Sequence, residues 1–141
     1  MAHSVRRVTL LVAVAVAGSL LATEACKWKD VTFIKVDIRN DPGGGCYAYP
    51  DPEHAKVKKG ALIVWQIANK CHGSQKVTLR FNPTNDPLET GCPHERTVSS
   101  GETSWIACLA TGNVGSHQYS TPTGTASAPH PTGMPDIEIL P

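Results

Sequence analysis

The sequence predicts an all-β domain, a sandwich or barrel of short strands. Three observations carry that expectation. The chain beyond residue 25 is rich in Gly, Pro, Thr and Ser; none of its windows has helical periodicity; and short alternating segments recur between turn signals.

The segments follow in order. In "DVTFIKVDI" (30–38), Thr32, Ile34, Val36 and Ile38 share one face, and "NDPGGG" then breaks the strand. A second short strand falls around "AKVKK", turned by Gly60. "ALIVWQIAN" (61–69) is almost continuously apolar, as expected of a strand buried on both faces or central in its sheet. "KVTLRF" (76–81) alternates, with Val77, Leu79 and Phe81 inward and Lys76, Thr78 and Arg80 outward. A long loop from Asn82 to Glu95 carries Pro83, Pro87, Gly91 and Pro93. Strands "TSWIACLA" (103–110) and "VGSHQYS" (114–120) follow, joined by a tight Gly112-Asn113 turn, and "DIEIL" closes the domain.

Residues 1–25 are set apart from this pattern. Arg6 and Arg7 precede an apolar run from Val8 to Ala22 and then small residues, which is the build of a secretory signal peptide rather than a membrane anchor. Cleavage after Ala25 is expected, with Ala22 the alternative, so residues 26–141 form one domain and the protein is secreted or periplasmic. Without Arg6, Arg7 and Glu24, 11 basic and 11 acidic residues remain. A chain of zero formal charge is not expected to bind nucleic acid or an anionic membrane surface, and no membrane span is expected. All 5 cysteines lie in the exported part, where disulfides form. The odd count leaves one over, and the residues alone leave the pairing open.

Three patterns, in this order, resemble the cupredoxin family, the fold of plastocyanin and other blue-copper proteins. "VKKGALIVWQIAN" resembles its tryptophan-bearing strand leading to the first ligand loop. "SSGETSWIACLATGNVGSHQYS" resembles its glycine-glutamate-threonine strand, turn and rising strand. "APHPTGMPDIEIL" resembles its closing ligand loop and last strand. The resemblance implies a cupredoxin-like Greek-key β-sandwich, here with disulfides. By its topology Cys46 and Cys71 fall at the copper pole and Cys92 and Cys108 toward the opposite one, which implies the pairs Cys46–Cys71 and Cys92–Cys108 and leaves Cys26 over.

A blue-copper site needs two imidazoles, a thiolate and a weak axial thioether. The resemblance places His130 and Met134 at two of those positions, but Ser127 at the thiolate position, and a normally protonated hydroxyl does not replace a thiolate. Where the family has its first histidine this chain has Gln75 and Lys76, with His72 a few residues early. The expected metal residues are therefore an incomplete set: His130, Met134 and His72. No cofactor is expected, copper being the sole candidate.

Other residues have ordinary readings. Trp65 and Trp105 are expected in the core, Trp28 either there or exposed, and His54, His94 and His117 as exposed imidazoles. Without a nucleophile elbow or a recognisable carboxylate pair, no enzyme is expected. The expected function is a binding module for an envelope or extracellular protein, met through "GGGCYAYPDPEH" and "SAPHPTGMP". The alternative is non-blue copper handling by His130 and Met134 with His72 or His117.

Overall fold

A computed structural model describes residues 30–124 and 134–141. The expected signal peptide, Cys26, Trp28, Ser127 and His130 lie outside the described residues. Those described form ten strands and no helix: β1 (Val31–Asn40), β2 (Cys46–Asp51), β3 (His54–Lys58), β4 (Leu62–Asn69), β5 (Gln75–Thr78), β6 (Arg80–Phe81), β7 (Glu95–Val98), β8 (Thr103–Leu109), β9 (Gly115–Ser120) and β10 (Asp136–Leu140). One four-stranded sheet runs β2-β1-β4-β8, the other β3-β10-β9-β6, and β5 pairs with β7. No helix among the described residues is long and apolar enough to cross a membrane.

The alternation expected of β1 sets the first sheet. Ile34, Val36 and Ile38 are wholly buried, and parallel pairing with β4 puts Ile34 beside Trp65. Antiparallel pairing with β8 puts Trp65 beside Ile106. From the second sheet, Val57, Tyr119, Ile137 and Ile139 close the core. The Trp65 ring meets Tyr119 edge-on at 6.4 Å and Phe81 lies 5.0 Å from Tyr119. Each fully buried aliphatic or aromatic side chain here contributes about 1.5 to 3 kcal/mol over its exposed state.

β4 is central, as expected, yet it is not equally buried on both faces. Ile63, Trp65 and Ile67 are fully enclosed, whereas Leu62, Gln66 and Ala68 are only half-buried. Trp105 departs from expectation: it is 52% exposed. Ile106 and Cys108 take the inward positions of β8, and the period of two then turns Trp105 outward.

Two strands arise where the sequence reads as loop. β2 contains Pro50 and follows a glycine run, but it lies at the edge of its sheet, where a missing N–H is tolerated. β7 has three exposed residues out of four, which leaves little alternation to detect. The expected strand 76–81 is split at Leu79, whose N–H donates to the His94 carbonyl rather than to a sheet neighbour. The faces are nonetheless as expected, with Val77, Leu79 and Phe81 buried. At the turn before β9, a side chain on Gly112 would place its Cβ 2.5 Å from Pro87 Cα, so only glycine fits.

Both expected disulfides are present, Cys46–Cys71 with Cα atoms 6.4 Å apart and Cys92–Cys108 with 5.8 Å. They sit toward opposite ends of β4. Cys71 lies two residues beyond its end, while Cys108 is the partner of Ile63 near its start. Such bonds are the chemistry of an oxidising compartment.

Candidate functional site

The end of the sandwich where β1 and β4 finish is the pole at which the family resemblance places a metal. Among the described residues it carries a hydrogen-bonded cap. Asn69, 1% exposed, donates through Nδ2 to the carbonyls of Gly73 (2.8 Å) and Val98 (2.9 Å) and accepts from the Cys71 N–H at 3.0 Å. The Lys70 N–H donates to Ile38, and the Ser100 hydroxyl to the Cys71 carbonyl at 2.6 Å. Thr123 Oγ1 donates to the Cys46 carbonyl at 2.5 Å. Gln75 is buried at the start of β5. The loop after β4 is thus held by an amide, a hydroxyl and a disulfide at once.

His72 is exposed on that loop. Met134 is 50% exposed, next to Pro135, whose carbonyl accepts from the Tyr119 N–H. His130 and Ser127 lie outside the described residues. Among the described residues, no three His, Cys, Asp or Glu side chains form a group that could hold a metal. The four described cysteines are all joined in disulfides, so none of them offers a thiolate. By donor chemistry the described pole does not fit a blue-copper ion.

His117, expected to be exposed, is buried at 4%. It shares the inward face of β9 with Tyr119. Its Nδ1 faces the Asn85 carbonyl at 3.0 Å and its Nε2 that of Asn113 at 2.7 Å, so it braces the loop after β6. His94 does the same, its Nδ1 at 2.8 Å from the Cys92 carbonyl and its Nε2 at 2.7 Å from Asp86. Asp86 and Glu89 also accept backbone N–H groups of Leu88 and Leu109. A cleft of about 390 Å³ opens over this loop, but the polar groups just named are engaged in holding the loop together. His54 is exposed as expected and hydrogen-bonds Asp136.

In the core, burial pushes the Tyr119 hydroxyl up to about 12, with the Trp65 indole pulling the other way. Neither the hydroxyl nor the Trp65 Nε1 makes a regular hydrogen bond among the described residues. The two polar tips are carried by large rings that the core needs for packing.

The solvent side of the first sheet is a surface outside the loops that the sequence points to. Its residues form rows across the strands, of which Asp51–Lys35–Gln66–Trp105 and Phe33–Val64–Ala107 are two. Phe33 is 63% and Trp105 52% exposed, with Val64 almost covered. Beside them a cleft of about 430 Å³ is lined by Lys35, Asp37, Arg39, Tyr49, Asp51 and other residues. The Arg39 guanidinium lies 4.1 Å over the Tyr49 ring, and Lys70 pairs with Asp37 at 2.6 Å. The signal for this face was available: Phe33 is out of phase with Ile34, Val36 and Ile38.

No protein-family model matches the sequence, and no curated protein matches it. Among solved structures, auracyanin A, a "blue" copper protein from Chloroflexus aurantiacus, is similar at 11% identity and a TM-score of 0.49, over 78% of this chain and 99% of its own. A multicopper oxidase from Campylobacter jejuni is similar at 16% identity and 0.48, over 81% of this chain. This chain spans only 26% of that oxidase. At this level of likeness, copper and oxidation remain properties of those two proteins. The fold assignment rests on the strands themselves: two parallel pairs, β1 with β4 and β3 with β10, in an otherwise antiparallel sandwich. That architecture is cupredoxin-like.

Proposed function

We propose that residues 26–141 form an exported cupredoxin-like binding module, released from a signal peptide at 1–25, and that it is neither an electron carrier nor an enzyme. The observation that carries this reading is the capped pole. Among the described residues, the end of the sandwich to which the resemblance assigns a metal carries Asn69, Gln75, Thr123 and the Cys46–Cys71 bond, and no three His, Cys, Asp or Glu side chains gathered to hold an ion. Ser127, which the family resemblance puts at the thiolate position, supports the same reading. What the scaffold retains is a rigid frame with exposed surfaces, and function follows from the surface rather than the fold.

A second reading is favoured by one observation, the half-exposed thioether of Met134. With His130 and His72 it would supply soft and borderline donors for Cu(I) without a thiolate. Titration of the purified protein with Cu(I) and Cu(II), with His130→Ala as control, separates the readings. The binding module predicts no specific uptake. Sub-micromolar binding abolished by His130→Ala would establish copper handling instead, and an intense blue absorption band would overturn both readings.

A further inference from the structure

The outer face of the first sheet is divided along its length. Toward the end where β1 begins it is apolar without interruption. The row Val31–Leu62–Leu109 is followed by Phe33–Val64–Ala107, and Trp105 stands one row further along β8. From Lys35 onward this side of β1 turns polar, with Asp37 and Arg39 next. Val31, Phe33 and Trp105 are exposed, and Leu62 and Leu109 are half-buried. Single apolar residues on a surface need no explanation, but a contiguous patch points to a contact.

The chain that leads into this patch selects the partner. The sequence has 5 cysteines, of which Cys46, Cys71, Cys92 and Cys108 are joined to one another. Cys26 therefore has no cysteine of its own chain left to pair with, and only residues 27–30 separate it from Val31. A second copy brings a matching thiol. In the leading segment the positions of the same parity as Val31 and Phe33 are Lys27 and Lys29, so its sequence has no apolar stripe in phase with the patch.

The patch also complements itself. A two-fold axis along β4 sets β1 of one copy over β8 of the other, at equal height. Phe33 then faces the small Ala107, Val31 faces Leu109, and the Lys35 ammonium meets the Trp105 ring as a cation–π contact. With strands about 4.8 Å and sheets about 10 Å apart, the two β1 strands begin roughly 14 Å from each other. Five residues of chain span up to about 17 Å, so the two Cys26 Cα atoms can approach to the about 6 Å of a disulfide. The patch, on the order of 300 Å² per copy, is well short of the about 800 Å² that each partner buries in a stable complex. A covalent link supplies the difference by raising the local concentration of the second copy to the millimolar range.

We propose that the protein is a homodimer linked by a Cys26–Cys26 disulfide and seated on the apolar half of this face. The link forms by exchange with a small disulfide such as glutathione disulfide. The Cys26 thiolate of one copy attacks a glutathione sulfur, giving a mixed disulfide and one glutathione thiolate. The Cys26 thiolate of the second copy then displaces the other glutathione thiolate. The two cysteines are oxidised as one glutathione disulfide is reduced to two thiols. Each copy keeps its own core, so the contact adds association and not fold. The inference rests on the export and leader removal proposed above, since either cleavage, after Ala22 or after Ala25, leaves Cys26 on the chain and brings it to an oxidising compartment.

The test places the mature chain, residues 26–141, in a glutathione redox buffer and reads its mass by sedimentation equilibrium and non-reducing intact-mass measurement. Twice the monomer mass is expected, returning to the monomer with Cys26→Ser. Phe33→Asp and Trp105→Ala should each lower the equilibrium constant for linking by about tenfold, given the worth of an aromatic contact. In the Cys26→Ser background both should keep a thermal midpoint near that of the parent, which separates lost association from lost folding. A monomer whose Cys26 stays a thiol or a glutathione adduct overturns the proposal. So does a dimer that links equally well in both face variants, because the cysteine would then react without the face. A leader still attached to the protein recovered from cells would remove the export reading instead, so the two failures are distinguishable.

Discussion

The two faces of the first sheet share four strands and differ in almost everything else. On the inner face, Ile34, Val36, Ile38, Ile63, Trp65, Ile67 and Ile106 are wholly buried, and Cys46 and Cys108 tie the sheet to its loops. On the outer face, Phe33 and Trp105 stand in solvent among paired charges. One residue of phase separates Trp105 from Ile106, and it decides whether a large side chain stabilises the fold or remains available to a ligand.

The two tryptophans test this difference most strongly. Trp65→Ala should cost about 3 to 5 kcal/mol, because the surrounding side chains collapse only partly into the void. Trp105→Ala should stay within about 0.5 kcal/mol of the parent. Urea midpoints measure both, and equal losses would remove the distinction between the faces.

Next in size are the disulfides, whose inner-face sulfurs brace both poles. Cys92→Ala with Cys108→Ala, or Cys46→Ala with Cys71→Ala, should each lower stability by about 2 to 4 kcal/mol. A reductant applied to the parent protein should reproduce the combined loss in a thermal melt.

Asn69 extends the comparison to a buried polar residue on the inner side of β4. Asn69→Ala strips the Gly73 and Val98 carbonyls and the Cys71 N–H of their partner. A loss of about 1 to 3 kcal/mol is expected, together with faster amide exchange confined to residues 70–75. Unchanged exchange there would show that the disulfide alone holds the loop.

The smallest effect belongs to a pair on the rim of the second sheet. The hydrogen bond to Asp136 holds the His54 imidazole above its ordinary value. The His54 ring, with the Ser116 hydroxyl, holds Asp136 below the usual carboxylate range. A raised histidine stabilises below its unfolded value and loses that contribution as pH rises through the folded one. A lowered carboxylate stabilises above its unfolded value and loses it as pH falls through the folded one. The pair therefore contributes fully between about 4 and about 6.5. A slight fall in thermal midpoint from pH 6 to pH 8 is expected, and His54→Gln should abolish that share of it.

Strand phase was readable wherever apolar residues alternate. β1, the faces of 76–81 and the closing strand follow directly from Ile34, Val77 and Ile137. The family resemblance supplied both disulfide pairs, which the cysteine spacings alone did not. Trp105 and His117 depart from the average tendencies of their residue types because strand parity decides: Trp105 is out of phase with Ile106, and His117 is in phase with Tyr119. β2 and β7 were hidden for opposite reasons: Pro50 disqualifies a central strand but not an edge, and Glu95, Arg96 and Thr97 have no apolar side to report. At the candidate site, Gln75 in place of a histidine was visible, whereas the cap built by Asn69 joins the Gly73 carbonyl of its own loop to the Val98 carbonyl at the end of β7, 29 residues away. Nothing local in the sequence announces that convergence.

The run from Cys46 to Lys58 pairs with β1 in one sheet and then with β10 in the other. A single stretch of backbone is thereby stitched into both layers. Neither layer can peel off while the other keeps its ladder, because unzipping β2 pulls on β3 within a few residues. The two sheets should therefore open to solvent exchange together, as one cooperative unit rather than as two stacked plates.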